Sequence, residues 1–197
     1  MCSHCQALKE QDKYRRYVGV KPPADLYRFD MWPGSLGAFI RRHPHAEAGD
    51  EAAPEREALT GLCGLVPHWA QDTEIAKHTY NARSETVAVK PSFRDAWGKG
   101  HRCIIPADAF FDADWRSGKA VPTRIARADG QPLGIAGLWS AWRSPKGEWL
   151  HSCTMLTISA DQHPPMRLSS VASNSCGHFR QIRWKSAQLH KPVSQPD

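Results

Sequence analysis

The chain has 197 residues, 41% of them hydrophobic and 23% charged, which suits one well-buried globular domain and is short of two. No apolar run approaches the roughly 18 residues of a membrane span, and the first residues lack the apolar core of a secretion signal, so neither a membrane protein nor an exported one is expected. The formal charge of +6 and a pI near 9.1 favour a polyanionic partner without identifying it.

In chain order, Gln6 to Val18 reads as a helix. Leu8, Tyr14, Tyr17 and Val18 share one face, and Gly19 with Pro22-Pro23 stops it. Arg41 to Arg56 reads as a polar surface insertion. Pro91 to Gly100 reads as a short helix with Phe93, Ala96 and Trp97 inward. Around these lie short β-type runs at Leu62–Val66, Cys103–Phe111, Thr123–Ala128, Ile135–Trp142 and Ser152–Ser159. Turn signals at Asp129-Gly130 and Pro145-Lys146-Gly147 separate the later runs, which predicts a meandering antiparallel sheet closing into a barrel or sandwich. From Gln162 to Pro196 there is no acidic residue, and the hydrophobic alternation fades. The expected organisation is one domain over residues 1–166 and a basic, poorly ordered tail over 167–197.

Six cysteines in a cytosolic setting are expected to be reduced thiols. Cys2 stands apart. Removal of Met1, usual before a small residue, would make Cys2 the N-terminus, with an amine and a thiol on adjacent carbons. Such a pair takes an aldehyde as a Schiff base and closes on it as a thiazolidine. The amine titrates near 7.7–8.0 when unperturbed, so much of it is nucleophilic at neutral pH. Cys2, His4 and Cys5 also crowd three potential metal ligands into four residues. With no second cluster at zinc-site spacing, no metal and no cofactor are expected.

Four further stretches carry candidate chemistry. Gly64-Leu65-Val66-Pro67-His68-Trp69 is an apolar strand breaking at a proline; Trp69 either packs on the sheet or forms a base-stacking wedge at a cleft rim. In Asn81-Ala82-Arg83-Ser84-Glu85-Thr86, alternation puts Asn81, Arg83 and Glu85 on one face, either solvated or the floor of a site. There Arg83 suits bidentate phosphate binding and Asn81 donation to an oxyanion. Arg102 to Asp112 is a strand running through Pro106 into Phe110 and Phe111. Asp112 beside those rings is either desolvated, with a raised pKa suited to proton shuttling, or simply solvent-facing. Met155 to Ala160 is a strand ending in hydroxyl residues, Thr157 and Ser159. The eight tryptophans, most of them expected in the core, leave a few to interleave with arginines as single-stranded nucleic-acid binders do.

Together these motifs resemble the SRAP family of abasic-site processing proteins linked to the SOS response. Members start Met-Cys-Gly-Arg and carry Gly-Leu-x-Pro-x-Trp, Asn-Ala-Arg-x-Glu, an Arg-Cys strand running through Pro-Ala to two aromatics and Glu, and a Thr-containing strand. Order and spacing fit from Met1 to about Met166. The resemblance implies a β-rich α+β fold, a barrel-like antiparallel sheet flanked by short helices, with a positively charged cleft for single-stranded DNA. It also implies covalent capture of the ring-opened sugar at abasic sites by a monomeric, cytoplasmic, nucleoid-associated protein of bacterial type. Carried over, Cys2 matches the nucleophile, Asn81 the positioning amide and Asp112 the position of the catalytic glutamate. Arg83, Trp69 and Thr157 fall on the DNA side.

Three departures stand out. Asp112 is one methylene shorter than glutamate. Ser3 and His4 replace Gly-Arg, removing a phosphate cation. Nothing after Met166 matches the family's closing His-x-x-(Arg/Lys)-Met-Pro: His163 lies too early, and Cys176-Gly177-His178 lacks the pattern. Two alternatives to a crosslinking enzyme follow: a single-stranded DNA-binding homologue with impaired chemistry, or a peptidase limited to removing its own Met1.

Overall fold

The computed structural model describes residues 4–23, 29–46, 54–114 and 117–159, together with the backbone of Gly177–Phe179. Cys2, Ser3, His163 and the tail, apart from that last strand, lie outside the described residues. The described residues form ten strands: β1 (His4–Ala7), β2 (Asp30–Met31), β3 (Leu36–Arg42), β4 (Arg56–Cys63), β5 (Asn81–Arg83), β6 (Arg102–Asp114), β7 (Val121–Ile125), β8 (Leu133–Arg143), β9 (Trp149–Ser159) and β10 (Gly177–Phe179). Five of them close a ring: β3 pairs with β4, β4 with β9, β9 with β8, β8 with β6 and β6 with β3. All of these contacts are antiparallel except β4–β9, which is parallel. The expected β-rich barrel flanked by short helices is the fold.

The ring is made possible by β6, which is 13 residues long. Its first half pairs with β3 and β8; its second half runs on beyond them and pairs with β1 and β7. Alternation along the strands sorts side chains to two faces. Phe39, Cys103, Ile105, Cys153 and Met155 fill the interior with Cys5 and Ile135. The opposite face of β3 presents Ala38 and Ile40 to Leu8, Tyr14, Val18 and Val20. Helix α1 (Arg94–Gly98) covers the outside of β8, where Phe93 and Ala96 meet Leu138, Leu65 and Ala82.

Three sequence expectations need correction, the first being the run Leu62–Val66, which is strand only as far as Cys63, where β4 ends. Gln6–Val18 is not one helix: His4–Ala7 is a strand, and only Tyr14–Val18 winds into a helical turn. Cys5 and Ala7 are both buried, a period-2 signal, and β2 and β6 on either side satisfy the backbone that a helix would have bonded internally. The helical turn does stop at Gly19, whose φ of 74° is left-handed, as expected. The insertion Arg41–Arg56 is also narrower than expected. Arg41 and Arg42 finish β3, Arg56 opens β4, and Arg41 pairs with Glu57 across the hairpin. The later strands, and the turn at Pro145-Lys146-Gly147 with Gly147 at φ 88°, lie where the sequence puts them. β10, which alternation did not signal, pairs Gly177–Phe179 with Ser159–Thr157.

One end of the barrel is plugged by polar and aromatic groups. Arg41 Nε donates to Glu57 Oε1 at 2.8 Å, and its guanidinium lies 4.2 Å from the centre of the Trp139 ring. His101 stacks on the same tryptophan at 4.2 Å, and His151 lies 6.2 Å from it. Burial first, and for His101 the charges of Lys99 and Arg41, for His151 that of Arg41, hold both imidazoles below the usual histidine pKa. Both groups therefore bind a proton more weakly folded than unfolded. Their neutral forms carry no penalty at pH 7. As pH falls through about 6.5 the unfolded chain takes up protons first, so stability declines towards the depressed folded values. The melting temperature should therefore fall between pH 7 and pH 5, and the double variant His101→Gln/His151→Gln should show a shallower fall. Equal slopes for variant and wild type in thermal scans would refute this assignment.

Candidate functional site

The opposite end of the barrel gathers the chemistry. β6 and β9 both run antiparallel to β8, so their C-terminal ends point the same way. β4 and β5 run parallel to β9 and end there too, while β1 and β3 begin there. Asp112 near the end of β6, Asn81 and Arg83 on β5 and Thr157 on β9 therefore share one mouth. The strand pairings bring these four sequence-predicted residues together, whereas the segment carrying Trp69 runs over the outer face of β8 and β9, where Ala70 packs with Trp142 and Leu150. Cys2 lies outside the described residues.

β5 is a short strand lashed to β9. Asn81, Ala82 and Arg83 pair in register with Met155, Leu156 and Thr157. Met155 N–H donates to Tyr80 O at 3.0 Å and Ser84 N–H to Thr157 O at 2.8 Å, fixing both ends. Ala82 turns inward and is fully buried. Asn81 and Arg83 therefore face the other way, Asn81 half-buried and Arg83 exposed. Glu85, expected on the same face, lies beyond the strand in the following turn. Thr157 is only 1% exposed, and its hydroxyl donates to Ala82 O at 3.4 Å. Its hydrogen bond fastens β5 to β9, and it has almost no surface to offer a ligand.

Asp112 is 5% exposed, which decides between the two sequence readings: the carboxyl is withdrawn from solvent. The backbone N–H of Ala113 donates to its Oδ1 at 2.8 Å. Phe110 is buried on the interior side and Phe111 is half-buried on the other.

Trp69 is 50% exposed, on a segment held at many points. Gly64 N–H donates to Cys153 O at 2.7 Å, Thr79 Oγ1 to Leu65 O at 2.7 Å, and Val66 N–H to Ser152 Oγ at 2.9 Å. Trp142 Nε1 donates to Ala70 O at 2.8 Å just past Trp69. His68 Nδ1 sits 3.3 Å from Asp95, whose carboxyl the Lys99 ammonium holds below the usual range. The indole is thus exposed on a fixed support.

The described cysteines are poor competitors as nucleophiles. Cys5, Cys63, Cys103 and Cys153 are free and buried. Burial pushes the Cys63 thiol up to about 12 and raises Cys103 and Cys153 as well.

One feature of the rim had no clear motif in the sequence. His4 is stacked between Trp32 and Phe111, with ring centres 3.9 Å and 4.2 Å away. The register His4↔Phe111 puts this ladder on the strand positions beside Asp112. A period-2 reading of His4–Gln6 would have hinted at it.

The chain is thus a five-stranded barrel with a buried carboxyl and an exposed arginine at one mouth. The family whose sequence model matches residues 1–167 is SOS response associated peptidase (SRAP), and the chain belongs to it. A crystal structure of a protein from Bordetella bronchiseptica is 47% identical, with a TM-score of 0.74 over 92% of this chain and 82% of that one. A second, from Bacteroides thetaiotaomicron, is 23% identical over 80% of this chain and 68% of that one and shares the fold at a TM-score of 0.64. Abasic site processing protein YoqW of Bacillus subtilis is 39% identical over 100 residues, 50% of this chain and 44% of that protein. Abasic site processing protein HMCES of Gallus gallus is 26% identical over 179 residues, 80% of this chain and 52% of that protein. The chain thus spans about half the length of the two abasic site processing proteins.

The Trp69 segment depends on Gly64. Its φ is 117°, and a Cβ there would lie 2.0 Å from Ala76 O, a backbone atom that cannot step aside. Gly64→Ala should destabilise the chain by roughly 3 kcal/mol or more in chemical denaturation. A loss under about 1 kcal/mol would mean that the segment relaxes freely and is not a fixed support.

Proposed function

We propose that this chain binds single-stranded DNA at the mouth and captures the ring-opened sugar of an abasic site through Cys2. The observation that carries the reading is the convergence of Asp112, Asn81 and Arg83 with the entry of β1, only two residues downstream of Cys2. Two residues of chain span at most about 7 Å, so the nucleophile is tethered close to this end of the barrel. Once Met1 is hydrolysed off, the Cys2 amine adds to the sugar aldehyde and water leaves, giving an imine. The thiol then adds across the carbon–nitrogen double bond. Its sulfur bonds to carbon, its proton ends on nitrogen, and the ring closes as a thiazolidine. No electron acceptor is required. Removal of Met1 by the chain itself is the peptidase activity that this reading allows.

Each neighbouring residue has a role in that sequence. Asp112, withdrawn from solvent, moves protons between the amine, the departing water and the thiol. Asn81 orients the sugar oxygen by hydrogen bonding. Arg83 holds a phosphate, which makes affinity fall as salt rises. Trp69 stacks on a base. The work is that of a DNA-damage protein, and no cofactor is needed for it.

Cys2→Ala removes the thiol. On an abasic single-stranded oligonucleotide it should abolish the heat-stable adduct while non-covalent binding changes less than about threefold; Cys5→Ala should abolish nothing. Intact mass of wild type after incubation should show loss of Met1 and gain of the oligonucleotide mass minus one water. A heat-stable adduct persisting in Cys2→Ala would overturn the mechanism.

Asp112 tests the proton-transfer role. General acid–base assistance is worth roughly 10²–10⁴-fold, and an error of an ångström can cost about 100-fold. Asp112→Asn should therefore slow adduct formation strongly with little change in affinity. Asp112→Glu, with the family's longer arm, should accelerate it. Slowing by Asp112→Glu would show that the site is built around aspartate, and an unchanged rate in Asp112→Asn would remove the residue from the mechanism.

A further inference from the structure

Beside the mouth, on the solvent face of the sheet, lies the stack Trp32–His4–Phe111. The rings are nearly parallel, tilted 14° between Trp32 and His4 and 10° between His4 and Phe111. Phe111 and His4 are cross-strand partners on β6 and β1, and Trp32 follows directly after β2. A row of polar contacts runs alongside and braces it. Arg124 on β7 faces Phe111 in register, and its Nε donates to Gln6 Oε1 at 2.9 Å. Gln6 Nε2 donates to Asp30 Oδ1 at 3.2 Å.

The stack ends in the open. Trp32 is 50% exposed although His4 covers one of its faces. Its backbone is fixed: Trp32 O accepts from Ser35 N–H at 2.9 Å and Ser35 Oγ at 2.7 Å. The same link is tied to the end of β4, with Gly34 N–H donating to Cys63 O and Cys63 N–H to Ser35 O at 2.7 and 2.8 Å. Cys63 is the residue before the Gly64–Trp69 segment. The half-exposed indoles Trp32 and Trp69 thus stand on connections that are hydrogen-bonded to each other where both leave the barrel.

We infer that Trp32 is a second base-stacking position, whose open face takes an unpaired base flanking the abasic nucleotide and extends the ladder His4–Phe111 into the bound strand. The inference rests on the proposed binding of single-stranded DNA and adds a residue to it. Its physical content is a π-face that is rigid before binding, so little side-chain entropy is lost when a base docks. His4 contributes as a ring and not as a cation, since burial holds it below the usual histidine pKa. A stacking contact therefore stands where the family's opening motif has an arginine.

The test is titration of wild type, Trp32→Ala, Trp32→Phe and Trp149→Ala with labelled single-stranded oligonucleotides, intact and abasic, at several salt concentrations, alongside adduct formation. Trp149 is 67% exposed at the start of β9, at the plugged end, and serves as the control indole. Trp32→Ala should weaken binding about 5- to 100-fold, and Trp32→Phe should restore most of it. The slope of log affinity against log salt should stay the same, because no phosphate contact is lost. Trp149→Ala should bind as wild type. Wild-type affinity in Trp32→Ala, with the wild type binding and crosslinking, would overturn the stacking role alone. Binding that depends on Trp32 with no adduct in wild type would overturn the crosslinking reading and keep the stacking role. Absence of binding by wild type would overturn both.

Discussion

A barrel of five strands has a narrow interior, narrower than the eight-stranded case in which side chains just fill the space. That narrowness decides much of the sequence inside it. Interior and strand-facing positions go to cysteine and alanine at Cys5, Ala7, Cys103, Ala107 and Cys153, with a few larger residues such as Phe39 and Met155 between them. Where strands cross closest, even a methyl group does not fit. A Cβ on Gly137 would lie 2.5 Å from Thr154 O, and one on Gly61 would lie 2.7 Å from the Phe39 ring. The cysteines are therefore best understood as small apolar fillers. Burial raises the thiol pKa of Cys63, Cys103 and Cys153, which makes them poor nucleophiles.

The same closure makes the two ends of the barrel unlike each other. At one end Arg41, Glu57, Trp139, His101 and His151 pack into a plug, a charged group held by an ion pair and an aromatic face. At the other end the long strand β6 continues past β3 and β8, and its last residues are covered by β1 and β7 instead. This extension carries Phe110, Phe111 and Asp112 beyond the filled interior. A carboxyl on that extension is supported by strands on both sides yet stands at the rim, so it is at once buried and close to where a ligand would sit.

Much of this was legible in the sequence where the signal was local. The strands β6 to β9 alternate or run apolar between plain turn signals, and the short helix around Trp97 has its apolar residues at helical spacing. The motifs at Gly64–Trp69, Asn81–Arg83 and Arg102–Asp112 were readable as units, and their resemblance to one family supplied the architecture. What failed was decided by partners distant in sequence. His4–Ala7 is a strand because β2 and β6 bond it, and four residues are too few for alternation to outweigh the helical pattern that follows. Arg41 looks like surface by type, but its stem and guanidinium lie against Trp139, nearly a hundred residues away. Thr157 looked available at a strand end, yet β5 covers it. The stack of His4 on Trp32 and Phe111 joins three separate segments, and only the period-2 pattern of His4–Gln6 hints at it.

The arrangement at the mouth also says which partner can adapt. Asp112 is fixed by the strand on which it sits, and Asn81 and Arg83 by the register of β5 against β9. Trp69 is held by its neighbours' hydrogen bonds. The backbones of Asp112, Asn81 and Arg83 cannot shift by an ångström without breaking sheet pairing, which costs far more than a loop adjustment. In the proposed reaction the carboxyl arm is one methylene shorter than the family's glutamate, so the adjustment falls to the DNA strand. The His4 stack braces β1 between Trp32 and Phe111, so the strand that enters at the mouth is held as firmly as β5 and β6.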